Sequence, residues 1–201
     1  LEKGFNEMAT HIEEVHLSMQ TRIEEATAQL AFQAKHDALT GLLNRREFER
    51  LLEKALASVQ AGGDDFAVLF LDLDRFKQVN DTCGYLAGDE LLRQMAMLFQ
   101  GRLREDDTLA RLGGDEFTVI LEDLEAPEDC ALIARKILAA LRRPLSAGTQ
   151  HLDIIVGASI GIATYPGCGN DAGSLMQAAD VAMYRAKTDG RNGYQFFTPE
   201  M

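Results

Sequence analysis

With 201 residues, 46% of them hydrophobic and 26% charged, the chain has the make-up of a soluble globular domain of ordinary size with something appended. Its formal net charge of -12 excludes a protein that coats nucleic acid by neutralising phosphates, but leaves a nucleotide substrate open, because a bound divalent cation can carry phosphate charge locally. Cys83, Cys130 and Cys168 show no CxxC or Cys/His spacing, which argues for reduced thiols rather than a disulfide frame or zinc site. No apolar run approaches the ~20 residues of a membrane helix, and the acidic, amphipathic N-terminus is no signal peptide. The chain opens at Leu1 inside a helical pattern. The expectation is therefore a cytoplasmic fragment of a longer protein, without membrane contact of its own, whose anchor at the inner membrane, if there is one, lies upstream.

Residues 1 to 35 read as one helix. Phe5, Met8, Ile12, Val15 and Met19 recur at alternating spacings of three and four, and Ile23, Ala26 and Leu30 continue the series after one extra step, a heptad seam with a stutter. No other segment of the chain carries a matching pattern. The seam either pairs with its copy in a second subunit, the favoured reading, or packs on its own domain. From residue 36 on, strands and helices alternate. Glu47 to Ala61 is amphipathic and is broken by Gly62-Gly63-Asp64-Asp65. Phe66 to Leu71 is a continuous apolar run, the mark of a buried central strand, ending at Asp72.

Asp89 to Leu103 follows as a helix, and Thr108 to Leu112 and Phe117 to Leu121 as strands flanking the turn Gly113-Gly114-Asp115-Glu116. Pro127 to Leu141 is a helix with proline where a missing N–H is harmless. His151 to Tyr165 reads as a long strand region, Ser174 to Lys187 as the last helix and Tyr194 to Phe197 as a short strand. Together these predict an α+β, ferredoxin-like architecture, a mixed sheet covered by helices.

Carboxylates gather at the strand ends. Asp72 stands at the mouth of the core, and Asp74 would share its face if the strand continued. Asp115 and Glu116 sit in a glycine turn, where Gly113 and Gly114 let another group approach closely. Glycine turns also carry Asp and Glu for turn chemistry alone. If the hairpin lies beside the Phe66–Asp72 strand, the acids converge, and a divalent cation is the usual means of offsetting such repulsion. Oxygen ligands without His or Cys favour magnesium, or manganese, over zinc.

Gly113-Gly114-Asp115-Glu116-Phe117, preceded by Arg111-Leu112, resembles the signature of the GGDEF family of diguanylate cyclase domains. So does the rest of the chain, in order, over residues 36 to 197. Asp37-Ala38-Leu39-Thr40-Gly41-Leu42-Leu43-Asn44-Arg45 is similar to the family's opening segment. The stretch Phe70 to Lys77 with Asn80-Asp81 resembles its metal and nucleotide loop, and Gly88-Asp89 its next helix start. Ala158 to Ala163 and Asp180 to Asn192 resemble its later blocks.

The resemblance implies a nucleotidyl cyclase palm and a bacterial signalling enzyme: a homodimer, joined through the N-terminal helix, that condenses two GTP into cyclic di-GMP with magnesium. It further implies that Asp72, Asp115 and Glu116 with the Leu73 carbonyl hold metal, Asp115 acting as general base with Glu116 assisting. Asn80 and Asp89 would read guanine, whose N1–H and N2–H groups adenine lacks. Backbone N–H groups near Phe76 and Lys77 would cradle phosphates, and Lys187 and Arg191 would hold the terminal ones, although a solvated basic helix end is the bland alternative for that pair. Arg104 and Asp107, an Arg-x-x-Asp separated from Gly113 by five residues, match the family's inhibitory product site, with Arg135 as a secondary contact; a charged helix end is the alternative. Tyr85 stands where the family usually has histidine near the guanine pocket, which implies altered nucleotide affinity. The rival to an enzyme is a non-catalytic module that binds GTP or cyclic di-GMP as a regulator. The C-terminal Tyr194 to Met201 resembles the junction before a phosphodiesterase (EAL) domain.

Overall fold

The computed structural model describes residues 2–124, 126–147 and 152–201, with side chains from residue 16 onward except at 146, 147 and 152. Two compact units form, Leu1–His36 and Asp37–Met201. The first is the helix α1 (Glu2–Lys35). Of the predicted seam, Met19, Ile23 and Leu30 are 60–66% exposed, whereas the side chains of Phe5, Met8, Ile12 and Val15 lie outside the described set, as does Leu1.

The second unit is built on β1 (Ala67–Leu73), whose seven residues are all buried. β1 pairs antiparallel with β3 (Glu116–Leu121) on one side and with β6 (Ala158–Thr164) on the other. The edges are β2 (Thr108–Gly113), antiparallel to β3, and β7 (Gly193–Phe196), parallel to β6. The order β2-β3-β1-β6-β7 makes a mixed sheet, as the α+β reading expects. β4 (Leu145–Ala147) and β5 (Leu152–Ile154) form a separate hairpin.

Because side chains alternate along a strand, β1 feeds two cores. Leu69, Leu71 and Leu73 pack with α4 (Tyr85–Gln100) and α5 (Pro127–Leu141) through Leu91, Met95, Phe99, Ile133 and Ile137. Val68 and Phe70 pack with α2 (Arg45–Gln60) and α6 (Ala172–Thr188) through Phe48, Leu52, Leu175 and Ala179. The parity puts Asp72 on the α2/α6 face. Local signals start three of these helices: the Asn44 side chain accepts from the Glu47 N–H at α2, Pro127 opens α5, and the Asp171 side chain accepts from the Ser174 N–H at α6. Gly161 on β6 lets α6 lie close, since a Cβ there would run into the Ala179 carbonyl and the Met183 amide.

Three differences from the sequence reading concern the site. A short helix, α3 (Phe76–Cys83), fills the stretch read as a loop; it is eight residues long and buries only Phe76. α4 begins at Tyr85, four residues before the expected Asp89. The region read as one strand from His151, itself outside the described residues, is broken into β5 and β6 at Ile155–Gly157, where the Gly157 carbonyl accepts from the Asp74 N–H at 2.9 Å.

Candidate active site

The two acidic clusters meet. Asp72 lies directly opposite Glu116 across β1 and β3, and the Leu73 N–H donates to the Asp115 carbonyl at 3.3 Å. The turn that delivers Asp115 needs backbone states other residues avoid: Gly113 has φ 140° and Gly114 φ 51°. Lys187, in the last turn of α6, puts its Nζ 2.7 Å from Asp72 Oδ2. Burial pushes the Asp72 carboxyl above the ordinary carboxylate range; Lys187 opposes that shift, and the charges of Asp115 and Glu116 add to it.

A brace that the sequence reading missed holds the turn. Arg111 on β2 donates to the Gly114 carbonyl through Nε at 3.0 Å and Nη2 at 2.7 Å, and through Nη1 to Asp37 Oδ1 at 2.8 Å. Asp37 also accepts from the Thr40 N–H and hydroxyl. Burial works to raise the Asp37 pKa, but these hydrogen bonds and the Arg111 charge more than offset it, holding the carboxyl below its usual range. The same segment is tied to the edge of the sheet, where the Arg111 N–H donates to the Leu43 carbonyl. Arg45 adds a 3.7 Å ion pair to Glu116.

Asp74 does not join the acidic row. β1 ends at Leu73, so the period of two lapses. Asp74 Oδ1 accepts from the Ser159 hydroxyl at 2.7 Å, and Oδ2 from the Asn192 N–H at 2.8 Å. Its role is to tie the ends of β1 and β6 to the turn after α6.

α3 and α4 carry the two residues expected to read guanine. Asn80 and Asp89 are both half-buried. The Asn80 carboxamide lies so close to Gly88 that a Cβ there would meet its Oδ1. Lys77 is exposed and Phe76 buried at the start of α3. Tyr85 is 77% exposed at the head of α4, so its ring projects into solvent. Lys187 faces Asp72, and Arg191 (φ 63°) lines a cavity of about 560 Å³ with Asp74, Arg75 and Gln78.

Arg104 and Asp107 line a second cavity, of about 270 Å³, with Arg102 and Lys136. Asp107 Oδ2 accepts from the Arg104 N–H at 2.7 Å. Lys136, not the expected Arg135, stands on that wall. Successive helix residues point about 100° apart, so the side chain facing a wall depends on where the helix sits.

Among the described residues no three Asp, Glu, His or Cys side chains are grouped as a ready-made metal site. The donor set here is two facing carboxylates with a third on the turn, all oxygen. It fits a cation that takes one or two carboxylates and completes its shell with substrate phosphates, as magnesium does. No helix among the described residues is long and apolar enough to cross a membrane.

The family model described as "Diguanylate cyclase, GGDEF domain" matches residues 34–193. Diguanylate cyclase TpbB of Pseudomonas aeruginosa (strain UCBPP-PA14) is 42% identical over 193 residues, which are 95% of this chain and 43% of that protein. The chain thus spans less than half the length of this curated relative. Among solved structures, the GGDEF domain of PA1120 (YfiN or TpbB) from Pseudomonas aeruginosa is 40% identical with a TM-score of 0.77, covering 79% of this chain and 98% of that one. The coiled coil and GGDEF domain of DgcB from Caulobacter crescentus, solved in complex with c-di-GMP, is 32% identical with a TM-score of 0.80, covering 91% and 98%. The mixed sheet and its covering helices are the palm fold that these structures share.

Proposed function

Because the chain belongs to the GGDEF family of diguanylate cyclase domains, we propose that it joins two GTP molecules into cyclic di-GMP, with release of two pyrophosphates. The observation that carries this reading is the Asp72–Glu116 cross-strand pair with Lys187 Nζ at 2.7 Å from Asp72. A row of carboxylates with one ammonium group suits a triphosphate delivered with a metal ion.

In this reading the Asn80 amide donates to and accepts from the guanine edge, and the Asp89 carboxylate accepts from its N1–H and N2–H groups. The N–H groups at Phe76 and Lys77, opening α3, cradle the phosphates. Lys187 approaches the terminal phosphates from the α6 end and Arg191 from its cavity. The 3′-hydroxyl oxygen of one GTP attacks the α-phosphorus of the other; the bond to the β-phosphate bridging oxygen breaks, and pyrophosphate leaves. Asp115, brought to the end of β1 by its turn, takes the hydroxyl proton, with Glu116 beside it. Magnesium, or manganese, held by Asp72, Asp115, Glu116 and the Leu73 carbonyl, would lower the hydroxyl pKa and neutralise charge on the leaving group.

Each subunit holds one GTP, so two copies must face each other to close the ring, and orientation replaces a dilute encounter. The exposed seam of α1 supports pairing through that helix. The Arg104–Asp107 cavity, with Lys136 on its wall, is where the product would bind and inhibit.

Incubation with GTP and magnesium, followed by chromatographic detection of cyclic di-GMP, tests the reading. Wild-type protein is expected to form product, and Asp115→Ala to form none while keeping its melting temperature. GTP binding without product in the wild type would transfer the chain to the regulator class. Inhibition by cyclic di-GMP that persists unchanged in Arg104→Ala would remove the product from that cavity.

A further inference from the structure

The cavity of about 560 Å³ beside α3 is lined by Arg75, Gln78 and Thr82, by Arg142 at the end of α5, and by Arg191. Of the residues placed in the cyclase machinery, Asp72, Asn80, Asp89, Asp115, Glu116 and Lys187 are all absent from its wall; Arg191 alone is shared. On a chain of net charge -12, three guanidinium groups around one cavity are a local reversal of sign. The one acid on the wall is Asp74, and both of its oxygens are already engaged, by the Ser159 hydroxyl and the Asn192 N–H. None of the three arginines has an ion pair among the described residues, and all three are exposed. Arg191 is committed to the terminal phosphates in the cyclase reading, which leaves the charges of Arg75 and Arg142 available to a further ligand.

The α3 helix separates this cavity from the guanine readers. Arg75, Gln78, Val79 and Thr82 follow one another at helical spacing along one side and line the cavity. Phe76 and Asn80, four apart, form another side, where Asn80 lies against Gly88 of α4. Backbone strain concentrates at the cavity as well. Arg75 (φ 59°), Arg191 (φ 63°) and Asn192 (φ 46°) are three of the four non-glycine residues in the left-handed region among the described residues, a state that bulky side chains adopt where surrounding structure imposes it. Val79, Leu141, Ile155 and Val156 give the wall an apolar part. Ile155 is 69% exposed.

We propose that this cavity is a second anion-binding site, adjoining the proposed GTP site at Arg191, that takes a small organic phosphate. The guanidinium groups of Arg75 and Arg142, which the cyclase reading does not use, would fork onto phosphate oxygens, and the Val79–Ile155–Leu141 wall would cover the organic part. The volume lies within the range of pockets for molecules of nucleotide size.

ATP is a suitable probe, since it carries phosphates and an organic body without the guanine N1–H and N2–H pair. Isothermal titration of the whole chain, saturated with a non-hydrolysable GTP analogue, is expected to show ATP binding at one site per chain. Arg142→Gln should weaken that binding at least tenfold, and Arg75→Gln/Arg142→Gln should abolish it, while Arg142→Gln leaves affinity for the GTP analogue within twofold. Both side chains are exposed, and an unchanged thermal melt confirms that the variants fold. Absence of ATP binding to the analogue-filled protein, or binding untouched by Arg142→Gln, overturns the proposal. If the chain bound no guanine nucleotide at all, the titration of free protein with ATP would still read this cavity, so failure of the cyclase reading and failure of this one remain distinct.

Discussion

Asp72 sits among opposing influences: burial and two neighbouring carboxylates push its proton affinity up, and the Lys187 ammonium holds it down. Lys187→Met removes that counter-charge from a site that also has to receive a triphosphate. Turnover of GTP should fall roughly 100-fold, equivalent to about 2.7 kcal/mol of transition-state stabilisation, and initial rates of cyclic di-GMP formation measure it. A variant within threefold of wild type would take Lys187 out of the site. Asp37 makes the opposite case. Its carboxyl is held below the usual range, so its ionised form stabilises the fold above pH ~4 and that contribution is lost as pH falls through the lowered value. Urea midpoints measured from pH 6 down to pH 3 should show a decline in wild type that Asp37→Asn flattens. Asp72, Asp115 and Glu116 could be read from sequence because a strand end and a glycine turn are local signals. The Arg111–Asp37 brace could not, because its partners stand 74 residues apart. Asp74 leaves the row because its sharing the Asp72 face required the strand to continue, and β1 stops at Leu73.

Two glycines decide how elements approach each other, and they separate stability from function. Gly161 lies under α6, where a Cβ would strike the Ala179 carbonyl and the Met183 amide, both backbone atoms that cannot swing aside. Gly161→Ala should therefore destabilise the domain by about 1–3 kcal/mol, the usual cost of overpacking, seen as a lowered urea midpoint. Gly88 lies inside α4, where alanine is the better helix former by roughly 1 kcal/mol, yet a Cβ there meets the Asn80 carboxamide. Gly88→Ala is expected to keep or raise stability while weakening GTP-analogue binding about tenfold, or ~1.4 kcal/mol. Loss of both together would mean that Gly88 serves packing alone. α3 is hard to read from sequence because eight residues are too few for a helical period to stand out from a loop. The five longer helices run long enough for their patterns to be recognised.

At the scale of the molecule, the sheet was legible in kind though not in detail. The uninterrupted apolar run of β1 required cover on both faces, and the two cores supply it. Strand order, by contrast, is a product of long-range pairing that local pattern does not encode. The α1 seam would be a whole-molecule feature in a stronger sense, because in the proposed dimer its meaning lies in a second copy. Met19, Ile23 and Leu30 are exposed by 60–66% along one heptad stripe, which is costly in water and would be relieved by a partner helix. Ring closure needs two nucleotide-loaded sites, so activity should depend on pairing. In the Met19→Gln/Ile23→Gln/Leu30→Gln variant, sedimentation should shift from dimer to monomer. Specific activity at micromolar protein should drop about tenfold or more, the equivalent of at least ~1.4 kcal/mol in association, and should climb again as protein concentration rises. That recovery is what separates lost pairing from lost chemistry: a damaged site stays slow at every concentration. A variant that sediments and turns over like the wild type would show that the stripe serves some purpose other than bringing two sites together.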